Sequence, residues 1–145
     1  MSEVADSAAG LFQKGYNCAQ SVIGAYAAEL GVPEDTAFRM AAGFGGGLGR
    51  CGEACGALTG AVMVIGLRIG SPEADAVAKQ RTYEATQAFV EAFRARHGAV
   101  TCRDLLGVDI RDHEAFRQAR ESGSIKDICP GLVRSAAELL SGSST

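Results

Sequence analysis

The sequence predicts an all-α fold, and three observations carry that prediction. Apolar residues recur at helical spacing, in segments opened by a capping residue or proline and closed by glycine. Aromatic residues make up only 6% of the chain and tryptophan is absent, while alanine and glycine are abundant. Such a composition suits closely packed helices better than sheets, which draw on β-branched and aromatic side chains. The 145 residues, 47% hydrophobic and 21% charged, suffice for one domain with its own core. The expected architecture is a compact single-domain helical bundle over residues 1–145, with a glycine-rich loop leading into a buried central helix.

The elements follow in order. A first helix occupies residues 1–15 and stops at Gly15. Asn17 is a good N-cap for a helix from 18 to about 30, with Gly31 as its C-terminal stop. Val22, Ile23, Ala25, Tyr26 and Leu30 keep helical spacing there, and Tyr26 reads as a packing residue. Pro33, followed by Glu34 and Asp35, opens a short helix reaching about Ala42. Eight glycines then fall between Gly43 and Gly60, and the central helix runs from Gly52 to Ile69. Its apolar stretch, residues 54–67, is shorter than the roughly 20 residues a bilayer span needs, so it reads as a buried helix. Gly52, Gly56 and Gly60 recur every four residues and invite a neighbouring helix to approach closely.

Ser71-Pro72 has the form of an N-cap with proline at the first helical position. A long amphipathic helix is expected from there to His97, with Val77, Ala85, Ala88, Phe89, Ala92 and Phe93 facing inward and Gly98 ending it. Thr101 caps a short helix through Leu106, residues 113–121 form a polar helix, and residues 122–124 break it. Cys129-Pro130 starts a final helix reaching Leu140, and residues 141–145 form a frayed tail.

Several function classes are excluded. The formal charge is −3 and the sequence has no basic tract, so it offers no nucleic-acid or anionic-membrane surface. The N-terminus carries acids and no apolar run, so it is not a signal peptide, and cytoplasmic residence is the expectation. Residues 47–52 match GxGxxG, but no strand precedes them and no strand–helix–strand unit follows, so a dinucleotide site is not expected. Without GK[ST] the loop is no P-loop; its amides could still hold a small anion. No CxxC occurs, which removes thioredoxin-type motifs and zinc ribbons. His97 and His113 stand apart from the cysteines, and nothing marks a hydrolase. The small-residue helices also suggest a face for homodimerisation.

The five cysteines are the chemical signal. An odd count in a chain expected to be cytoplasmic is not a disulfide framework. Cys18 follows the cap Asn17, Cys102 follows the cap Thr101, and Cys129 precedes a proline at a helix start. Cys51 and Cys55 lie on the loop and first turn of the central helix, and share a face if that helix includes both. All five are thus expected at or near helix N-termini, where free amides and the helix dipole favour a thiolate. Arg50, beside Cys51, could add positive charge.

Cys55-Gly56-Ala57-Leu58-Thr59-Gly60, with Cys18 in GYNCAQSV and with Cys102 and Cys129 downstream, resembles the C_GCAxxG_C_C family of redox-active proteins. The resemblance runs from Gly15 to Cys129, with Cys55-Gly56 standing where the family name writes Gly-Cys. It implies Cys18, Cys55, Cys102 and Cys129 as the site, and Cys51 is extra to the pattern. The expectation is thiol–disulfide exchange or electron transfer centred on Cys55, with one of the other three as resolving partner. The alternative is an iron–sulfur cluster or zinc ion on the same cysteines, as the similar split-Soret cytochromes hold an iron–sulfur centre. Covalent haem is not expected, because no C-x-x-C-H motif is present. Some family members are encoded beside transporter genes, which implies a structural or regulatory partner of a transporter as a further alternative; the partners implied are a redox partner protein or a transporter.

Overall fold

Most of the helices begin where a side chain takes up the free amides of the first turn. The computed structural model describes residues 2–142. It contains α1 (Glu3–Gln13), α2 (Cys18–Ala27), α3 (Glu34–Ala41), α4 (Gly56–Ile69), α5 (Ala76–His97), α6 (Cys102–Leu106), α7 (His113–Glu121) and α8 (Ser124–Ser141). A 3₁₀ turn, Ala42–Phe44, follows α3. The fold is all-α, as expected; among the described residues the one extended pairing is an isolated bridge between Ala54 and Thr101. Residues 143–145 of the expected tail lie outside the described residues.

The core lies between α2 and α4, with α1, α3, α5 and α8 packed around them. Val22, Ile23 and Tyr26 of α2 and Leu58, Ala61, Val64 and Ile65 of α4 are buried. The two helices meet closely because Gly56 and Gly60 have no side chain: a Cβ on Gly60 would stand 2.7 Å from the Ala19 carbonyl oxygen. Tyr26 is a core residue, 2% exposed. Its hydroxyl donates to the Ala137 carbonyl at 2.8 Å, which ties α2 to α8. The Arg68 guanidinium lies 5.0 Å above the Tyr26 ring and donates to the Leu140 carbonyl, so α4 joins the same contact. Among the described residues no helix is long and apolar enough to cross a membrane.

Three helix starts differ from the sequence expectation. The central helix begins at Gly56, not Gly52, because residues 52–55 bond laterally to residues 100–103 instead of to a following turn. Gly52 therefore leaves the expected stripe. The long helix begins at Ala76, since the Asp75 carboxylate accepts from the Val77 and Ala78 amides while Ser71 Oγ only closes a turn with the Glu73 amide. The last helix begins at Ser124 and carries Pro130 within it. Proline there removes one helical hydrogen bond, and Cys129 sits in the second turn of α8 rather than at a cap.

Inward-facing positions on α5 are also fewer than expected. Phe89 and Phe93 are buried and Ala85 is partly covered, whereas Val77 is 70% exposed and Ala88 and Ala92 face solvent. The buried stripe follows Phe89 and Phe93 four residues apart, and Ala88 and Ala92 each lie one residue to its side.

Candidate functional site

The site grows from the glycine loop. Leu48 and Arg50 both adopt φ +67°, a left-handed conformation that costs a non-glycine residue about 1–2 kcal/mol. The loop holds that shape with its own backbone. The amides of Gly49, Arg50, Cys51, Gly52 and Glu53 donate to the carbonyls of Gly43, Gly45, Leu48, Gly46 and Gly47 respectively. These are amides the sequence suggested for a small anion; being bonded within the loop, they are not free to hold one. Gly47, at φ +69°, is the tightest point, since a Cβ there would stand 2.5 Å from the Glu53 carbonyl oxygen and 2.9 Å from Cys102 Cβ.

Two sets of bonds then set the cysteines in place. The Cys55 amide donates to the Val100 carbonyl at 2.9 Å, and the Cys102 amide donates to the Glu53 carbonyl at 2.7 Å. This short ladder brings the start of α4 beside the start of α6. Asn17 performs the corresponding task for Cys18. Its side-chain oxygen accepts from the Gln20 amide, Gln20 Oε1 accepts from the Asn17 amide, and Asn17 Nδ2 donates to the Ala42 carbonyl at 3.1 Å. The first two bonds make a reciprocal cap. The third anchors α2 to the chain that enters the glycine loop.

Cys18, Cys55, Cys102 and Cys129 all line one cavity of about 720 Å³. Cys55 and Cys129 are buried, Cys18 and Cys102 partly so, and no disulfide joins them. Cys51 is exposed on the loop and does not line the cavity. It shares no helical face with Cys55, because the helix starts after both. His97 is engaged elsewhere, its Nε2 lying 2.8 Å from Ser135 Oγ.

Burial outweighs helix termini in setting the thiol acidities. The Cys55 thiol is pushed up to about 11, chiefly by burial; the Ala57 and Leu58 amides pull it down only in part. Burial also lifts Cys102 to about 12, helped by the neighbouring Cys55 and Cys129. Cys18 is raised well above the ordinary thiol value, first by its hydrogen bond with Cys129, then by burial and the other sulfurs. Cys129 alone of these four moves down, because Cys18 hydrogen-bonds to it. The expectation that helix N-termini lower these thiol pKa values is therefore corrected: three caps or first-turn positions carry raised thiols, and the lowered one lies inside a helix.

These interactions mean that the first negative charge in the cluster rests on Cys129, and it suppresses ionisation of its neighbours. Among the described residues, no group of three or more His, Cys, Asp or Glu side chains stands in an arrangement that could hold a metal ion. A thiolate donor set suits zinc or iron in kind, but the residues as arranged do not fit such a centre.

Some contributors escaped the sequence reading. Gln20 completes the cap of Asn17, and the Asn-x-x-Gln spacing could have shown it. Arg120 and Lys126 reach the cavity wall from α7 and α8, and no local motif marks them. Residues 16–142 match the family model described as "Putative redox-active protein (C_GCAxxG_C_C)". Comparison with curated proteins and with solved structures gave no match.

Proposed function

Since the chain belongs to the C_GCAxxG_C_C family of redox-active proteins, we propose that it performs thiol–disulfide exchange through Cys129 and Cys18. The observation that carries this reading is that Cys18 and Cys129 line one cavity and that their thiols interact unequally, Cys129 being lowered and Cys18 raised by the other. A thiolate is the attacking species in exchange, and a second thiol must stand close enough to resolve the adduct.

The Cys129 thiolate attacks one sulfur of a disulfide, forming a mixed disulfide and releasing the other sulfur as a thiolate that takes up a proton. Attack removes the negative charge on Cys129, and with it the main influence that raised the Cys18 pKa. Cys18 then loses its proton and attacks the Cys129 sulfur, expelling the second thiolate. The substrate disulfide gains two electrons and two protons, and the chain is left with a Cys18–Cys129 disulfide. A dithiol reductant, such as a cytoplasmic redox partner protein, returns it to the starting state. In this reading the initiating role passes from Cys55 to Cys129. Cys55 and Cys102 remain neutral thiols that keep the charge on one sulfur.

The convergence of four thiols on one cavity also favours a cluster or metal role, but the arrangement gives no fitting ligand group, and no step is derived through a metal. A transporter-associated role rests on the family resemblance alone. The test is a Cys18→Ser variant, in which resolution is blocked and half of the disulfide substrate should stay attached to Cys129. If the unaltered chain reduces the disulfide while no Cys129 adduct accumulates in the variant, the reading fails.

A further inference from the structure

The cavity wall has a charge opposite to that of the chain. The protein as a whole carries −3, yet Arg50, Arg120 and Lys126 line the cavity and, among the described residues, no Asp or Glu does. None of the three enters an ion pair among the described residues. They come from separate elements: Arg50 from the left-handed loop, Arg120 from α7 and Lys126 from the first turn of α8. Arg50 is further held by its guanidinium, 4.2 Å above the ring of Phe116, which also lines the cavity. Leu105, Ile110 and Leu132 supply apolar wall to the same cavity.

The pKa shifts of Cys18, Cys55, Cys102 and Cys129 are set by burial, amides and one another, with none of these three cations among their causes. Unpaired cations at a cavity wall recognise the ends of a ligand and attract it from solution.

We infer that the cavity selects a low-molecular-weight disulfide with an apolar body and anionic ends, whose carboxylates or sulfonates meet Arg50, Arg120 and Lys126 while its S–S bond reaches Cys129. This rests on the exchange reading above and names its substrate class. The chemistry is the one already balanced: the anionic disulfide takes two electrons and two protons from the Cys18–Cys129 pair and leaves as two thiols.

The test uses the full chain with Cys51→Ser, so that the exposed thiol consumes no reagent. Two disulfides are compared, the dianion dithiobis-nitrobenzoate and the uncharged dithiodipyridine, each rate being divided by that of the same reagent with free cysteine. The ratio of the two scaled rates should favour the dianion, and it should fall about tenfold in the Arg50→Asn/Arg120→Gln/Lys126→Gln variant, with added salt having the same effect on the parent chain. The uncharged reagent reports whether the variant still presents a working thiol pair. A ratio unmoved by the three substitutions overturns selection by charge and leaves the exchange reading standing. If peptide mass mapping finds neither a reagent adduct on Cys129 nor a Cys18–Cys129 disulfide, the exchange reading falls and this inference falls with it.

Discussion

Cys18 and Cys129, one opening α2 and the other in the second turn of α8, line one cavity, and their interaction raises the pKa of the first and lowers that of the second. Distant parts of the chain thereby form an unequal pair, to which the proposed exchange assigns different tasks. Cys55 and Cys102 flank the pair with raised pKa values.

The first prediction concerns alkylation. Because the Cys129 pKa is lowered, its thiolate persists to lower pH than that of an ordinary thiol. Iodoacetamide labelling followed by mass mapping should give Cys129 a midpoint below that of an ordinary thiol, with Cys55 and Cys102 resisting until about pH 11 and 12. Cys18→Ala removes the hydrogen bond and should move the Cys129 midpoint upward. A midpoint unmoved by that substitution contradicts the assigned cause.

Stability should fall in alkali for a related reason. The Cys55 thiol ionises at about 8.5 in the unfolded chain and at about 11 in the folded one. A raised folded value stabilises the protein fully below the unfolded value and ceases to do so as pH rises through the folded value. The loss attributable to Cys55 between those limits is on the order of 3–4 kcal/mol. Urea unfolding at stepped pH should show a shallower alkaline decline for Cys55→Ala than for the parent chain; equal slopes would remove Cys55 as a contributor.

The α2–α4 contact makes opposite predictions for two glycines of one helix. Gly60→Ala puts a methyl group 2.7 Å from the Ala19 carbonyl oxygen and 3.1 Å from Ala19 Cα, and overpacking against backbone costs about 1–3 kcal/mol. Gly66→Ala meets nothing within 4 Å and should stabilise α4 by about 0.5–1 kcal/mol through helix propensity. Urea midpoints for the two variants should move in opposite directions. Movement in the same direction would show that helix propensity, not the close approach, governs both.

Gly47 links the loop to the thiols. Any side chain there is both strained at φ +69° and in collision with Glu53 backbone and Cys102 Cβ. Gly47→Ala should cost about 2 kcal/mol or more and raise the labelling rate of Cys102 with little change at Cys51. Labelling of Cys102 that stays at the parent rate would show that the loop does not set its exposure.

What the sequence disclosed was mainly local chemistry. Asn17 and Thr101 cap helices through bonds to amides three residues on, and Gly98 ends α5 in the left-handed conformation that glycine tolerates. The start of α5 escaped because Ser71 and Asp75 compete within five residues, and the Asp75 carboxylate takes two amides where Ser71 Oγ takes one. Pro130 misled because a helix packed against α1 and α2 retains an interior proline that an isolated helix would not. At the site, the family pattern named the four cysteines that do converge. The direction of their pKa shifts could not be read, since it depends on burial between elements far apart in the chain. Arg120 and Lys126 were hidden for the same reason: it takes the turn between α7 and α8 to bring them to the cavity.

The central claim is that Cys129 and Cys18 form one redox couple, and disulfide mapping tests it most directly. The reduced full chain would be exposed to a limiting amount of a small disulfide, quenched in acid, digested without reductant and read by mass spectrometry. The account predicts that a Cys18–Cys129 linked peptide dominates, with two substrate thiols released for each linkage formed. Linkage of Cys55 to Cys102 in its place, or release of substrate thiols with Cys18 and Cys129 both still free, would contradict it.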